Sequence, residues 1–184
     1  MMTWISTLTL AAALLQNFGD LPINIVDTGK WIPFIPTHFD VGPVRADTLN
    51  FHYFPAKQYY EGGRYTDAYY NLNYVLDRPT YIEGSIPSQS FYMTSSYYMR
   101  GMIFFHHAQG IGALSLARKD FESAIMWDPR NYQAYLELSR VFSTAGLKAQ
   151  AVPILRQLIE LAPGQEIAEE AGRELKKLTG NDGK

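Results

Sequence analysis

With 184 residues, 47% of them apolar and 18% charged, the chain is long and hydrophobic enough for one domain with a packed core and too apolar for a disordered segment. Its net charge of −2 gives no electrostatic footprint for nucleic acid. The absence of cysteine excludes disulfides, thiol catalysis, zinc–thiolate centres and thioether haem attachment. Aromatic residues reach 14%, including 13 Tyr and 10 Phe. Tyrosine pairs a large contact area with a hydroxyl, so it serves equally as core filler and as interface residue.

The chain opens on an uncharged apolar run, Trp4 to Phe18 (WISTLTLAAALLQNF). A membrane span needs about 20 apolar residues, so this run is short for one. Residues 1–19 are read as an apolar N-terminal helix with three open roles. The run has the length of a signal-peptide core but lacks a basic start and a small-residue cleavage site. It equally suits an uncleaved anchor in a membrane or an assembly, or an amphipathic core helix. Residues 20–48 obey a different rule. Pro22, Pro33, Pro36 and Pro43 remove backbone donors and restrict their predecessors, which argues against helix. Trp31, Ile32, Phe34, Ile35 and Phe39 make the stretch too apolar for a free linker. We expect an extended arm whose Trp31, Phe34, Ile35 and Phe39 lie along the domain itself or along a partner.

From residue 49 to residue 180 the apolar spacing is helical. A first unit, YYEGGRYTDAYYNLNYVLDRP from Tyr59, places a turn at Gly62-Gly63 and apolar positions at Ala68, Leu72, Val75 and Leu76. Pro55 predicts that its first helix starts near that residue and is short. After the loop from Pro79 to Ser90, Ser88 or Ser90 is a candidate cap for the next helix. The second unit reads Tyr97, Arg100, Gly101, Phe104, then Ala117, Phe121, Ala124 and Ile125. Phe104 and Ala117 are thirteen residues apart, against nine for Phe142 and Ala151 in the third unit. The second unit therefore carries four extra residues around His106 to Ser115, with Gly110 and Gly112 marking a longer turn. The third unit, Tyr132 to Pro163, buries Tyr135, Leu138 and Phe142, then Ala151, Leu155, Leu158 and Ile159, with Ser139 at the close approach. Gly146 is its C-cap, Pro153 is placed in the first turn of the second helix, and Pro163 is the stop. A last amphipathic helix, Ile167 to Leu178, sets Ile167, Ala171, Leu175 and Leu178 against Glu169, Glu170, Lys176 and Lys177. Residues 181–184 are expected to fray.

Ala117 and Ala151, Phe121 and Leu155, and Pro129 and Pro163 are each 34 residues apart. That period is the mark of stacked helix–turn–helix units. The chain from Leu49 to Gly180 resembles the tetratricopeptide repeat family, most fully at Tyr135, Leu138, Ser139, Phe142, Ala151, Leu155, Leu158 and Pro163. The resemblance implies an all-α fold: a short α-solenoid of about three units closed by a polar-faced C-terminal helix. It also implies a groove lined by the first helix of each unit. In this chain the groove positions are Tyr53, Lys57 and Tyr60, then Tyr98, Met102, Phe105 and His106, then Gln133, Leu136, Arg140 and Ser143. That set is aromatic, with Lys57 and Arg140 its basic members, so it suits an apolar segment rather than an acidic chain terminus.

Catalytic patterns are not found. Of His38, His52, His106 and His107, only the adjacent pair draws notice, and neighbours on a regular helix point about 100° apart. Metal-binding H-E-x-x-H spacing, a phosphate-binding loop and a nucleophile elbow are all missing from the sequence. We expect no catalytic residue, no metal and no cofactor. The expected partners are proteins, either subunits of a larger complex or further copies of this chain, with residues 4–18 as the point of membrane contact. The reading places the chain at a membrane or in the exported envelope as a non-enzymatic accessory or assembly subunit. A self-assembling filament subunit and a secreted peptide-binding adaptor are the alternatives.

Overall fold

The computed structural model describes residues 23–29, 46–77, 86–110 and 112–180. The expected N-terminal helix, the arm residues Trp31, Phe34, Ile35 and Phe39, and the tail at 181–184 lie outside the described residues. Seven α-helices follow one another within them: α1 (Ala46–Glu61), α2 (Tyr65–Leu76), α3 (Ile86–Met102), α4 (Ala113–Trp127), α5 (Tyr132–Thr144), α6 (Lys148–Leu161) and α7 (Glu166–Thr179). They pack as successive hairpins, α1 on α2, α3 on α4 and α5 on α6, with α7 closing against α6 and α5. The fold is all-α, an α-solenoid as the period implies. A two-residue antiparallel ladder is added to it: β1 (Asn24–Ile25) pairs with β2 (Ala108–Gln109).

Each hairpin follows from its apolar spacing and its turn. Gly63 takes φ 73 between α1 and α2, a left-handed conformation costly to any residue with a Cβ. Gly146 does the same after α5 at φ 76, and Leu147 N–H donates back to Phe142 O at 2.8 Å, which is the expected C-cap. Three core clusters run along the stack. Tyr53 and Ala56 of α1 meet Ala68, Leu72 and Val75 of α2 and Met99 and Ile103 beyond. Phe104, Ala117, Phe121 and Ala124 join Ala134, Leu138, Val141, Phe142 and Ala151. Tyr135, Leu136, Leu155, Leu158 and Ala162 are covered by Ala168 and Ala171 of α7. Each fully buried Leu or Phe contributes about 1.5–3 kcal/mol. Gly101 lets α3 and α4 touch, since a Cβ there would lie 2.8 Å from the Phe121 ring.

One polar contact locks this apolar stack. Arg100 occupies an otherwise apolar register and donates to both Asp120 oxygens at 2.7 Å and to Asn73 Oδ1 at 2.6 Å. Asp120 is 2% exposed, so the pair stays satisfied only while α2, α3 and α4 are all in place.

Three local expectations need correction. The first helix does not start near Pro55: it runs from Ala46 to Glu61 with Pro55 inside. Proline removes one hydrogen bond there, and the burial of Tyr53 and Ala56 on either side of it outweighs that loss. Pro153 lies not in the first turn of α6 but at its sixth position. The carbonyl it leaves without an N–H belongs to Ala149, an exposed residue that water can satisfy. Ser88 and Ser90 fall within α3 rather than capping it. Ser90 instead donates its hydroxyl to Trp127 O at 2.8 Å, at the end of α4.

The described part of the arm is a strap. Val26 N–H donates to His107 O at 2.7 Å, and Thr28 and Gly29 N–H both donate to Gly63 O at 2.8 Å. Asp27 Oδ1 accepts from Thr66 N–H at 2.7 Å, at the start of α2. Ile23 and Ile25 pack on the cores of the second and first units. The strap therefore ties the turn between α1 and α2 to the end of the π-helical turn of the second unit.

Candidate protein-docking face

The four extra residues of the second unit have a defined shape. α3 widens into a π-helical turn over Ile103–His107 and then enters β2. The turn rotates the two histidines apart, with ring centroids 6.2 Å from each other. His107 stacks on Tyr65 at 3.6 Å, and burial together with its neighbour His106 lowers its pKa. His106 points to the third unit instead, with Nε2 3.4 Å from Glu137 Oε2.

That contact begins a polar row across the first helices of successive units. Glu137 is 4% exposed and accepts from Arg140 Nη1 at 2.7 Å. Arg140 Nη2 donates to Glu170 at 2.6 Å, and its Nε donates to Glu174 at 2.8 Å. Burial works against the Arg140 charge, but these hydrogen bonds and the Glu137 charge outweigh it and raise its pKa. Three carboxylates thus enclose one guanidinium, and the face carries surplus negative charge. Burial pushes Tyr98 up to about 12, with Glu137 and Tyr60 adding to the shift. Tyr60 is raised by burial, Tyr65 and Glu137. Tyr60 of α1, Tyr98 of α3 and Glu137 of α5 are therefore electrostatic neighbours. Beside them opens a cleft of about 420 Å³ lined by Phe105, His106, Arg140, Ser143, Thr144, Glu174, Lys177 and Leu178.

Six of the eleven expected groove residues share this region: Tyr60, Tyr98, Phe105, His106, Arg140 and Ser143. Met102 is partly buried and packs against the core of the second and third units. Tyr53 and Leu136, at 4% and 1% exposed, belong to the core. Leu136 is turned inward because Leu155, Leu158 and α7 fill the space beside α5. Lys57 is exposed and pairs with Glu61 at 3.8 Å, and Gln133 is exposed at the start of α5. The sequence reading left out the carboxylates, and it set Glu170 on a solvated face although Arg140 binds it. Glu137 precedes Arg140 by three residues and Glu174 follows it by 34, so the repeat period itself carried the second signal.

Among the described residues, no group of three or more His, Asp or Glu side chains could hold a metal ion, and no helix is long and apolar enough to cross a membrane.

No family model matches the sequence, and no curated protein matches it. Solved structures do match. The first tetratricopeptide-repeat domain of Spaghetti (RPAP3), bound to the HSP90 peptide SRMEEVD, is 17% identical with a TM-score of 0.56, covering 74% of this chain and 97% of that one. The Arabidopsis OM64 tetratricopeptide-repeat domain is 16% identical with a TM-score of 0.52, over 71% of this chain and 96% of that one. The Yersinia enterocolitica type III secretion translocator chaperone SycD is 17% identical with a TM-score of 0.56, over 74% and 86%. The chain has the fold of tetratricopeptide-repeat domains.

Proposed function

We propose that the chain is a non-enzymatic docking subunit of a larger membrane- or envelope-associated complex. It holds a partner segment on the face of α1, α3, α5 and α7. The observation that carries this reading is the cleft that Phe105, His106, Arg140 and Ser143 line against α7, with Tyr98 and Phe105 packed on the same core cluster beneath it. Rigid aromatic side chains at the centre of such a face are the usual anchors of binding energy. The RPAP3 domain is seen with an acidic peptide. Here Arg140 already has three carboxylate partners, so the face favours an apolar segment carrying a cationic side chain. Residues 4–18 supply the contact with the membrane or complex.

Peptide display on the purified protein tests the reading. Selected sequences should combine aromatic or aliphatic residues with Lys or Arg. Their affinity should drop about tenfold or more on Tyr98→Ala, the loss expected for a hot-spot aromatic. Selection of acidic sequences, or peptides indifferent to Tyr98→Ala, would refute it.

A further inference from the structure

The repeat makes each first helix present the same register to the unit before it. In α5, Ala134 shares a core with Ala117, Phe121 and Ala124 of α4, and Glu137 meets His106 of the preceding unit. The groove registers align Tyr53, Lys57 and Tyr60 of α1 with Leu136, Arg140 and Ser143 of α5. Phe51 and Phe54 of α1 therefore stand where Ala134 and Glu137 stand in α5. No unit precedes α1 among the described residues. Phe51 and Phe54 are 46% and 57% exposed, and Phe91 beside Tyr53 is 56% exposed. At the opposite end α7 closes the stack and turns Glu166, Glu169, Arg173 and Lys176 outward. The solenoid has a polar cap at one end and a phenylalanine patch at the other.

We propose that the chain's own segment Trp31–Phe39 covers this patch and serves as the N-terminal cap. The path of the backbone carries the assignment. Gly29 is fixed beside Gly63, at the C-terminal end of α1. α1 begins at Ala46, about 24 Å away along its 16 residues. Residues 30–45 must return over that length, and a fully extended chain of this size reaches roughly 55 Å, so they have slack to follow the helix surface. α2 and α3 occupy the flanks of α1 that hold Ala56 and Tyr53. The flank bearing Phe51 and Phe54 is left, and the returning segment brings Trp31, Ile32, Phe34, Ile35 and Phe39 to it. Pro33 and Pro36 favour extended backbone that asks for no strand partner.

The absence of native cysteine gives a direct test in the full chain. Phe54→Cys is combined with Trp31→Cys, Phe34→Cys, Ile35→Cys or Phe39→Cys, and each pair is oxidised at low protein concentration. At least one pair should close within a single chain. In the single variant, the Phe54→Cys thiol should react with a maleimide about tenfold more slowly than the thiol of a Met126→Cys control, a cover closed for some nine-tenths of the time. Replacing Trp31, Phe34 and Phe39 by Ser should abolish that protection. Disulfides formed only between chains would overturn the proposal in favour of a second copy. A Phe54→Cys thiol as reactive as the control would overturn it outright.

Discussion

Arg140 sits where three carboxylates from α5 and α7 converge, and its removal leaves the most buried of them, Glu137, with His106 as its remaining partner at 3.4 Å. Glu137 would lose its 2.7 Å donor while 4% exposed. Arg140→Met should therefore lower stability by about 1–3 kcal/mol in urea unfolding, and adding Glu137→Gln should return most of it. Gly101→Ala acts through space rather than charge. Its Cβ would meet the Phe121 ring at 2.8 Å, so we expect a loss of about 1–3 kcal/mol in the same assay, partly relieved by Phe121→Leu. His107 supplies a pH dependence. Its folded pKa is held below 6.5 by burial and by His106, so the unfolded chain binds more protons as pH falls. Its stability contribution is present above 6.5 and lost as pH drops through the folded value. The thermal midpoint should fall between about pH 7 and pH 5, and His107→Phe, which keeps a ring against Tyr65, should flatten that fall. At this scale the sequence was partly legible. The Arg140–Glu174 spacing of 34 was readable from the period, whereas the inward turn of Leu136 depends on how α7 packs and leaves no local mark.

The elements show which rules the chain obeys and which it overrides. Apolar spacing and turn residues located α2, α4, α5, α6 and α7, because those helices bury one stripe; α5 and α7 stop at the left-handed Gly146 and Gly180, and α4 at Asp128 before Pro129. Proline was the misleading signal. Pro55 and Pro153 each cost one backbone bond inside a helix, and both helices continue because their buried faces outweigh that cost. The β1–β2 ladder was not legible, since two residues per strand carry no periodicity. Its fastening was foreshadowed only by glycines: a Cβ on Gly63 would lie 2.6 Å from Thr28 Oγ1. Gly63→Ala should both strain φ 73 and push the strap away. We expect a loss of about 1–2 kcal/mol and faster hydrogen exchange at Val26, Thr28 and Gly29, with little change in α5 to α7. Ala151 is fully buried between α6 and the core of the second and third units. Ala151→Trp should abolish cooperative unfolding of the third unit, because that contact cannot take an indole.

Across the whole molecule, the 34-residue period sets a stack in which each unit touches its neighbours, and α7 ends the stack with a polar face. The departures from the period carry what is particular to this chain. The four-residue insertion becomes the π-helical turn that aims His106 at Glu137 and lends His107 O to the strap. The capping helix completes the docking face by supplying Glu170 and Glu174. The central claim is that a partner segment lies on the face of α1, α3, α5 and α7. The most direct test is hydrogen exchange of the full chain with and without a display-selected peptide. The claim predicts slower exchange along α3, α5 and α7 around Tyr98, His106, Arg140 and Glu174, with α2, α4 and α6 unchanged. Protection confined to α2, α4 and α6 would contradict it.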